Sequence, residues 1–190
     1  ATVLERTQID PTEGELAWSL LKEAAGDVES LLKEYSLELK AANTQRRGEI
    51  DLLEADFARV TKGDSIPPGS EREIEALRRI EATDTLARMD EFVARAPGLK
   101  PLEVSSDEYM MNSVLSDLRP VRELAKALVA RMRLKALARE PAETAHSFRQ
   151  CLAIAQTMSL QPGVLGILAG GSIHSLANEE VRHLLIEDFL

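Results

Sequence analysis

Cysteine is almost missing from this 190-residue chain: Cys151 stands alone. A lone Cys excludes a disulfide framework within the chain. Aromatic residues are 4% of the total, so the core must be aliphatic, with Trp18, Tyr35, Phe57, Phe92, Tyr109, Phe148 and Phe189 as isolated large pieces. No apolar run reaches the roughly 18 residues that a transmembrane helix needs. No signal-peptide pattern opens the chain. A start at Ala1 fits Met removal, signal cleavage and truncation equally, so a soluble chain is expected in either the cytoplasm or an exported compartment. There is no phosphate-binding Gly loop, no paired-Cys zinc spacing and no Gly-x-Ser-x-Gly elbow. Basic excess is lacking too. Lys and Arg number 23 against 32 Asp and Glu, a net charge of −9, which argues against general nucleic-acid binding.

What is present is helix. Leu, Ala and Glu dominate, and the few Gly and Pro residues sit in clusters, the usage of an all-α protein without β-sheet. Asp10-Pro11-Thr12-Glu13 is a helix start, with an Asp cap, Pro at the first helical position and Glu at the third. Leu16, Leu20, Ala24, Leu31, Tyr35, Leu39 and Ala42 then share one face, with Gly26 opposite. A break is expected near 43–48. Ile50, Leu53, Phe57 and Val60 resume the pattern in matching phase.

The stretch from Lys62 to Gly69, with Pro67 and Pro68, is a loop. Ser70 and Glu73 form a capping box for one helix with an apolar face of Ile74, Leu77, Met89, Phe92 and Val93, ended by Pro97-Gly98. Ser105 and Glu108 cap a short helix through Leu115. Pro120, Pro141 and Pro162 each fit the first turn of a further helix, and their equal separation reads as stacked antiparallel hairpins, an array or a bundle. The organisation expected is an acidic amino-terminal helical region over 1–64 and a helical core over 70–190, which one continuous domain would also accommodate. Residues 1–95 hold 21 acidic and 13 basic side chains, and residues 96–190 hold 11 and 10. The excess acid therefore sits in the first half, read as a solvated arm on a neutral core.

Several stretches carry a family resemblance: Ala94-Arg95-Ala96-Pro97, Leu118 to Ala125, Pro141-Ala142-Glu143-Thr144-Ala145 with Phe148, Leu152 and Ala155 following, and Leu160 to Gly166 leading into a small-residue helix. Over about Leu77 to Leu185 the chain resembles uncharacterised bacterial proteins with degenerate tetratricopeptide-like α-helical repeats. It lacks the aromatic of the first repeat helix. The resemblance implies a scaffold or partner-binding role, by analogy of fold.

Four features bear on function. Between Arg149 and Glu179 there is no charged residue. This tract holds Gly163, Gly166, Gly170 and Gly171, and Gly166/Gly170 has the spacing that admits another helix closely. It reads first as a central helix buried on nearly all sides, then as a subunit interface. Second, Arg119, Arg122, Lys126 and Arg133 form a basic stripe on one helix face, read as a solvated face, as one paired with the acidic amino-terminal helices, or as a groove for an acidic peptide or other anion.

Third, Glu143–His146 and Glu180–His183 are two Glu-x-x-His pairs, each on one helix face. Two such pairs occur in di-iron bundles, although ordinary surface use of Glu accounts for them too. Fourth, Cys151 reads as a core residue on the side of Phe148, Leu152 and Ala155, without the neighbouring cation that activation needs, and His174, inside the apolar tract, reads as a satisfied buried His. No cofactor is implied and no catalytic constellation is present. The expected function is a non-catalytic helical-repeat scaffold that binds a protein. A metal-binding bundle and a homo-oligomeric structural protein are the alternatives.

Overall fold

The computed structural model describes residues 11–42, 71–95, 107–161 and 164–186. These residues form six helices and no strand: α1 Pro11–Ala42, α2 Glu71–Glu81, α3 Thr85–Arg95, α4 Asp107–Leu137, α5 Pro141–Ser159 and α6 Val164–Ile186. The protein is all-α, as its composition predicts. The expected break near 43–48, the helix at 50–60, the 62–69 loop and the positions of Pro162 and Gly163 lie outside the described residues.

α1 begins at Pro11 as the local signal predicts. Its buried face is wider than the predicted stripe. Trp18, Leu21, Ala25 and Val28 join Leu20, Ala24 and Tyr35 inside, while Leu16 is exposed. The reason is that α1 packs against both α3 and α4, so two sides of it need apolar side chains. α1 is therefore part of the core rather than a solvated arm. Its side chains belong to one cluster with Met89 and Phe92 of α3, Leu124 and Leu128 of α4, and Ile154 and Met158 of α5. Burying a side chain such as Leu21 or Phe92 stabilises the fold by about 1.5–3 kcal/mol. Two acids of α1 pair with α3, Glu13 with Arg95 at 2.6 Å and Asp27 with Arg88. Those pairs run α1 and α3 antiparallel.

The single helix expected across 74–93 is two helices, α2 and α3. At the join, the Thr83 hydroxyl donates to the Ile80 carbonyl at 2.7 Å and accepts the Thr85 N–H at 3.3 Å. Short polar side chains offer the backbone such alternatives to helical bonding, and Thr83-Asp84-Thr85 supplies three in a row. The apolar positions keep helical spacing on either side of the turn, so periodicity alone conceals it.

Pro120 does not open a helix. It lies inside the 31-residue α4. Pro removes an N–H from the helical ladder and crowds the preceding turn, but a Pro followed by an apolar-periodic stretch is compatible with a helix start and with a helix interior alike. The short helix expected before it is the first part of α4. Pro141 does stand at the start of α5. Before it, Arg139 adopts φ 60°, and the Glu140 N–H donates to the Lys135 carbonyl at 2.9 Å. This is a Schellman-type stop with Arg where Gly is usual.

α4, α5 and α6 form an up-down-up layer. Arg131 reaches Ser147 at 2.7 Å, and the Cys151 thiol lies 3.9 Å from the Ala125 carbonyl, so α4 and α5 are antiparallel. α6 returns along α5 at close range. A Cβ added at Gly166 would meet the Met158 carbonyl oxygen at 2.7 Å, and one at Gly170 would meet the Ala155 carbonyl oxygen at 2.5 Å. The Gly166/Gly170 pair thus admits α5 of the same chain. Gly171, with open space before it, takes no part in that contact.

Candidate functional site

α6 lies at the edge of the layer, packed on α5 and α4. Its inner side buries Gly166, Gly170, Ile173, Ala177, Glu180 and Leu184. Its outer side faces solvent with Val164 70%, Ile167 59%, Leu168 62%, Leu185 62% and Ile186 70% exposed. Gly171, Ser175 and Asn178 continue that outer face and are also exposed. The uncharged tract is therefore not a helix buried on nearly all sides. Hydropathy alone does not separate a covered apolar face from an open one.

Charge is what makes this face unusual. From Val164 to Asn178 it has no ionisable side chain except His174, which is exposed beside Asn178 rather than buried as expected, in a protein that is 29% charged. A solvated helix normally carries Lys, Arg and Glu on its open side. Beside it, α4 and α6 leave a groove of about 440 Å³. Leu118, Val121, Leu165, Leu168, Ala169 and Ile173 give it an apolar lining, and Arg119 and Arg122 stand among the same walls.

The basic stripe divides along α4. Arg119 is exposed and reaches Glu29 at only 3.8 Å. Arg122 is exposed at the groove. Lys126 is bonded to Glu123 at 2.9 Å. Arg133 is buried against Glu180, with both carboxylate oxygens accepting from its guanidinium. The stripe faces α6, so the stretch of it under α6 is covered and only its beginning is open. A continuous anion surface from Arg119 to Arg133 is absent.

The two Glu-x-x-His pairs are at one end of α5 and α6 but do not converge. Glu143 accepts from Arg131 at 2.7 Å. That hydrogen bond, ahead of the charge itself, holds the Glu143 carboxyl below the usual range. His146 turns to α3, with Nε2 2.6 Å from Asp90 Oδ1. Glu180 is occupied by Arg133. His183 is half-buried in the last turns of α6. Among the described residues no three His, Cys, Asp or Glu side chains gather closely enough to hold a metal ion.

Sequence reasoning missed Arg131. It is 8% exposed and joins three helices, through Glu81 of α2 at 3.0 Å and Ser147 and Glu143 of α5. The signal was present: a cation inside the apolar run Leu128-Val129-Ala130-Arg131-Met132 must be partnered if that run is buried. Asp90 and Gln150 were missed as well. The Gln150 amide donates to Asp90 at 2.8 Å, while its Oε1 is buried without a partner among the described residues. Cys151 is buried, and burial pushes its thiol up to about 12. That fits a core thiol and opposes a nucleophile.

Comparison with protein-family models, curated proteins and solved structures found no match. Among the described residues, no helix is long and apolar enough to cross a membrane.

Proposed function

We propose that the protein is a non-catalytic helical scaffold that works by binding protein through the outer face of α6 and the adjoining α4–α6 groove. The observation that carries this reading is the exposed side of α6 from Val164 to Asn178, which carries open apolar side chains and no Asp, Glu, Lys or Arg. Contiguous open apolar surface on a folded protein marks interaction sites. The tetratricopeptide-like resemblance of residues 77–185 points the same way, as an analogy of fold. The residues first considered for metal binding, Glu143, His146 and Glu180, are engaged in cross-helix bonds, so the metal reading gains no support.

The test is site-specific photo-crosslinking of the full chain in its native host. A photoreactive residue at Leu168 is expected to give discrete protein adducts. The same residue at Arg149, exposed on α5, is expected to give none. Equal labelling at both positions, or none at Leu168, overturns the reading.

A further inference from the structure

The open apolar residues of α6 are not spread evenly. Val164, Ile167 and Leu168 sit at its beginning, and Leu185 and Ile186 at its end. Between them the same line carries Gly171, Ser175 and Asn178, which are small or uncharged, and then Arg182. Val164, Leu168, Gly171, Ser175, Asn178, Arg182 and Leu185 alternate in steps of four and three. This is the spacing of a seam between two helices. Its spacing is close to symmetric about Ser175, with apolar side chains toward both ends, which suits two antiparallel copies of the same helix.

Resting on the proposal that this face binds protein, we propose that its partner is a second copy of the same chain. The two α6 helices pair antiparallel across a two-fold axis at Ser175. In that arrangement Val164 of one copy meets Leu185 and Ile186 of the other. Leu168 lies along the aliphatic stem of Arg182 in the second copy, which keeps its charged head in water. Gly171, with open space before it, and Ser175 let the helix axes approach at the centre.

Charge supplies an independent reason. Arg122 on the groove and Glu179 on α6 are both exposed, and neither has a partner among the described residues. α4 and α6 run parallel in a register set by Arg133–Glu180, 47 residues apart. Arg122 is therefore level with Ala169, beside which it lines the groove. Antiparallel pairing about Ser175 places Ala169 within about 3 Å along the axis of Glu179 in the second copy, at about 1.5 Å rise per residue. A two-fold axis perpendicular to the helices keeps the groove side of one copy on the Glu179 side of the other. Two reciprocal Arg122–Glu179 pairs result, as isologous contacts require. A copy docked parallel would leave both charges unmatched.

The test uses the purified full chain. Sedimentation equilibrium at high micromolar concentration is expected to give twice the 20.9 kDa chain mass. Leu168→Glu is expected to halve that mass without changing the helical circular dichroism. Ser175→Cys is expected to form a disulfide-linked dimer under mild oxidation, because residue 175 meets its own copy, while Arg149→Cys forms none. Arg122→Glu and Glu179→Arg are each expected to weaken the dimer about tenfold, and the double reversal to restore it. A chain that is monomeric at every concentration overturns the proposal, as does a dimer indifferent to Leu168→Glu, a Ser175→Cys chain that does not cross-link, or a double reversal no better than the single ones. A monomer that still forms foreign adducts at position 168 in the host ends the second-copy inference and leaves the interaction reading standing. A monomer with no adducts ends both.

Discussion

Arg133 of α4 and Glu180 of α6 hold each other out of solvent, the guanidinium donating to both carboxylate oxygens, with the two side chains 10% and 3% exposed. Among residues 164–180 of α6, Glu179 and Glu180 alone are charged, and it is Glu180 that lies inside. The pair pins α6 in register on α4. Removing one partner of such a pair leaves an uncompensated buried charge. Glu180→Leu is therefore expected to lower unfolding stability by about 3–5 kcal/mol, and Arg133→Met combined with Glu180→Leu to return most of it. Urea unfolding of the two variants measures this. A single variant within about 1 kcal/mol of wild type contradicts a buried pair of this kind.

The glycines of the chain should sort by what faces them. Gly166→Ala and Gly170→Ala force a methyl against α5, where carbonyl oxygens of the backbone stand at 2.7 and 2.5 Å. Both are expected to destabilise by about 1–3 kcal/mol, the usual cost of overpacking, which outweighs the better helix propensity of Ala. Gly26→Ala meets nothing within 4 Å and is expected to stabilise α1 by about 1 kcal/mol. Thermal melts rank the three. Equal behaviour at Gly26 and Gly170 is inconsistent with the close approach of α5 and α6.

How much of this was legible follows from what each signal encodes. The Pro11 start of α1 and the Pro141 start of α5 were readable because caps and first-turn prolines act locally. Pro120 was misread for the same reason: its local pattern is compatible with a start and with the interior of α4. The Thr83 turn was hidden because it leaves the apolar spacing nearly in phase. The uncharged tract stands out in the sequence, but its open side does not, since which side of α6 meets α5 depends on packing. Arg133 stands out as part of a basic stripe and Glu180 as part of a Glu-x-x-His pair, and nothing in one sequence says that two residues 47 apart face each other.

Glu143 makes the acid side of stability testable. Its carboxyl titrates below its ordinary value because Arg131 donates to it. A carboxyl lowered on folding contributes stability that is present above its unfolded pKa and is lost as pH falls through the folded one. Stability is therefore expected to decline as pH drops below about 4.3, the ordinary Glu value. In Glu143→Gln that part of the decline should be missing. Urea midpoints followed through the acid range decide it, and parallel curves for wild type and variant refute the contribution.

Cys151 sets the opposite limb. Its thiol, pushed up to about 12 by burial, must shed its proton when the chain unfolds above its ordinary pKa of about 8.5. A folded pKa above the unfolded one gives stability that is full below the unfolded value and is lost as pH rises toward the folded one. Between those limits each pH unit favours unfolding by about 1.4 kcal/mol. Cys151→Ala should remove that slope. At pH 8 the thiol of the native chain should react with an aromatic disulfide reagent only through the small fraction of molecules in which α4 and α5 have separated. Adding urea should therefore raise the labelling rate in step with the unfolded fraction. Rapid labelling of the native chain, indifferent to urea, would mean that Cys151 is reached without opening the core and would restore it as a candidate reactive group.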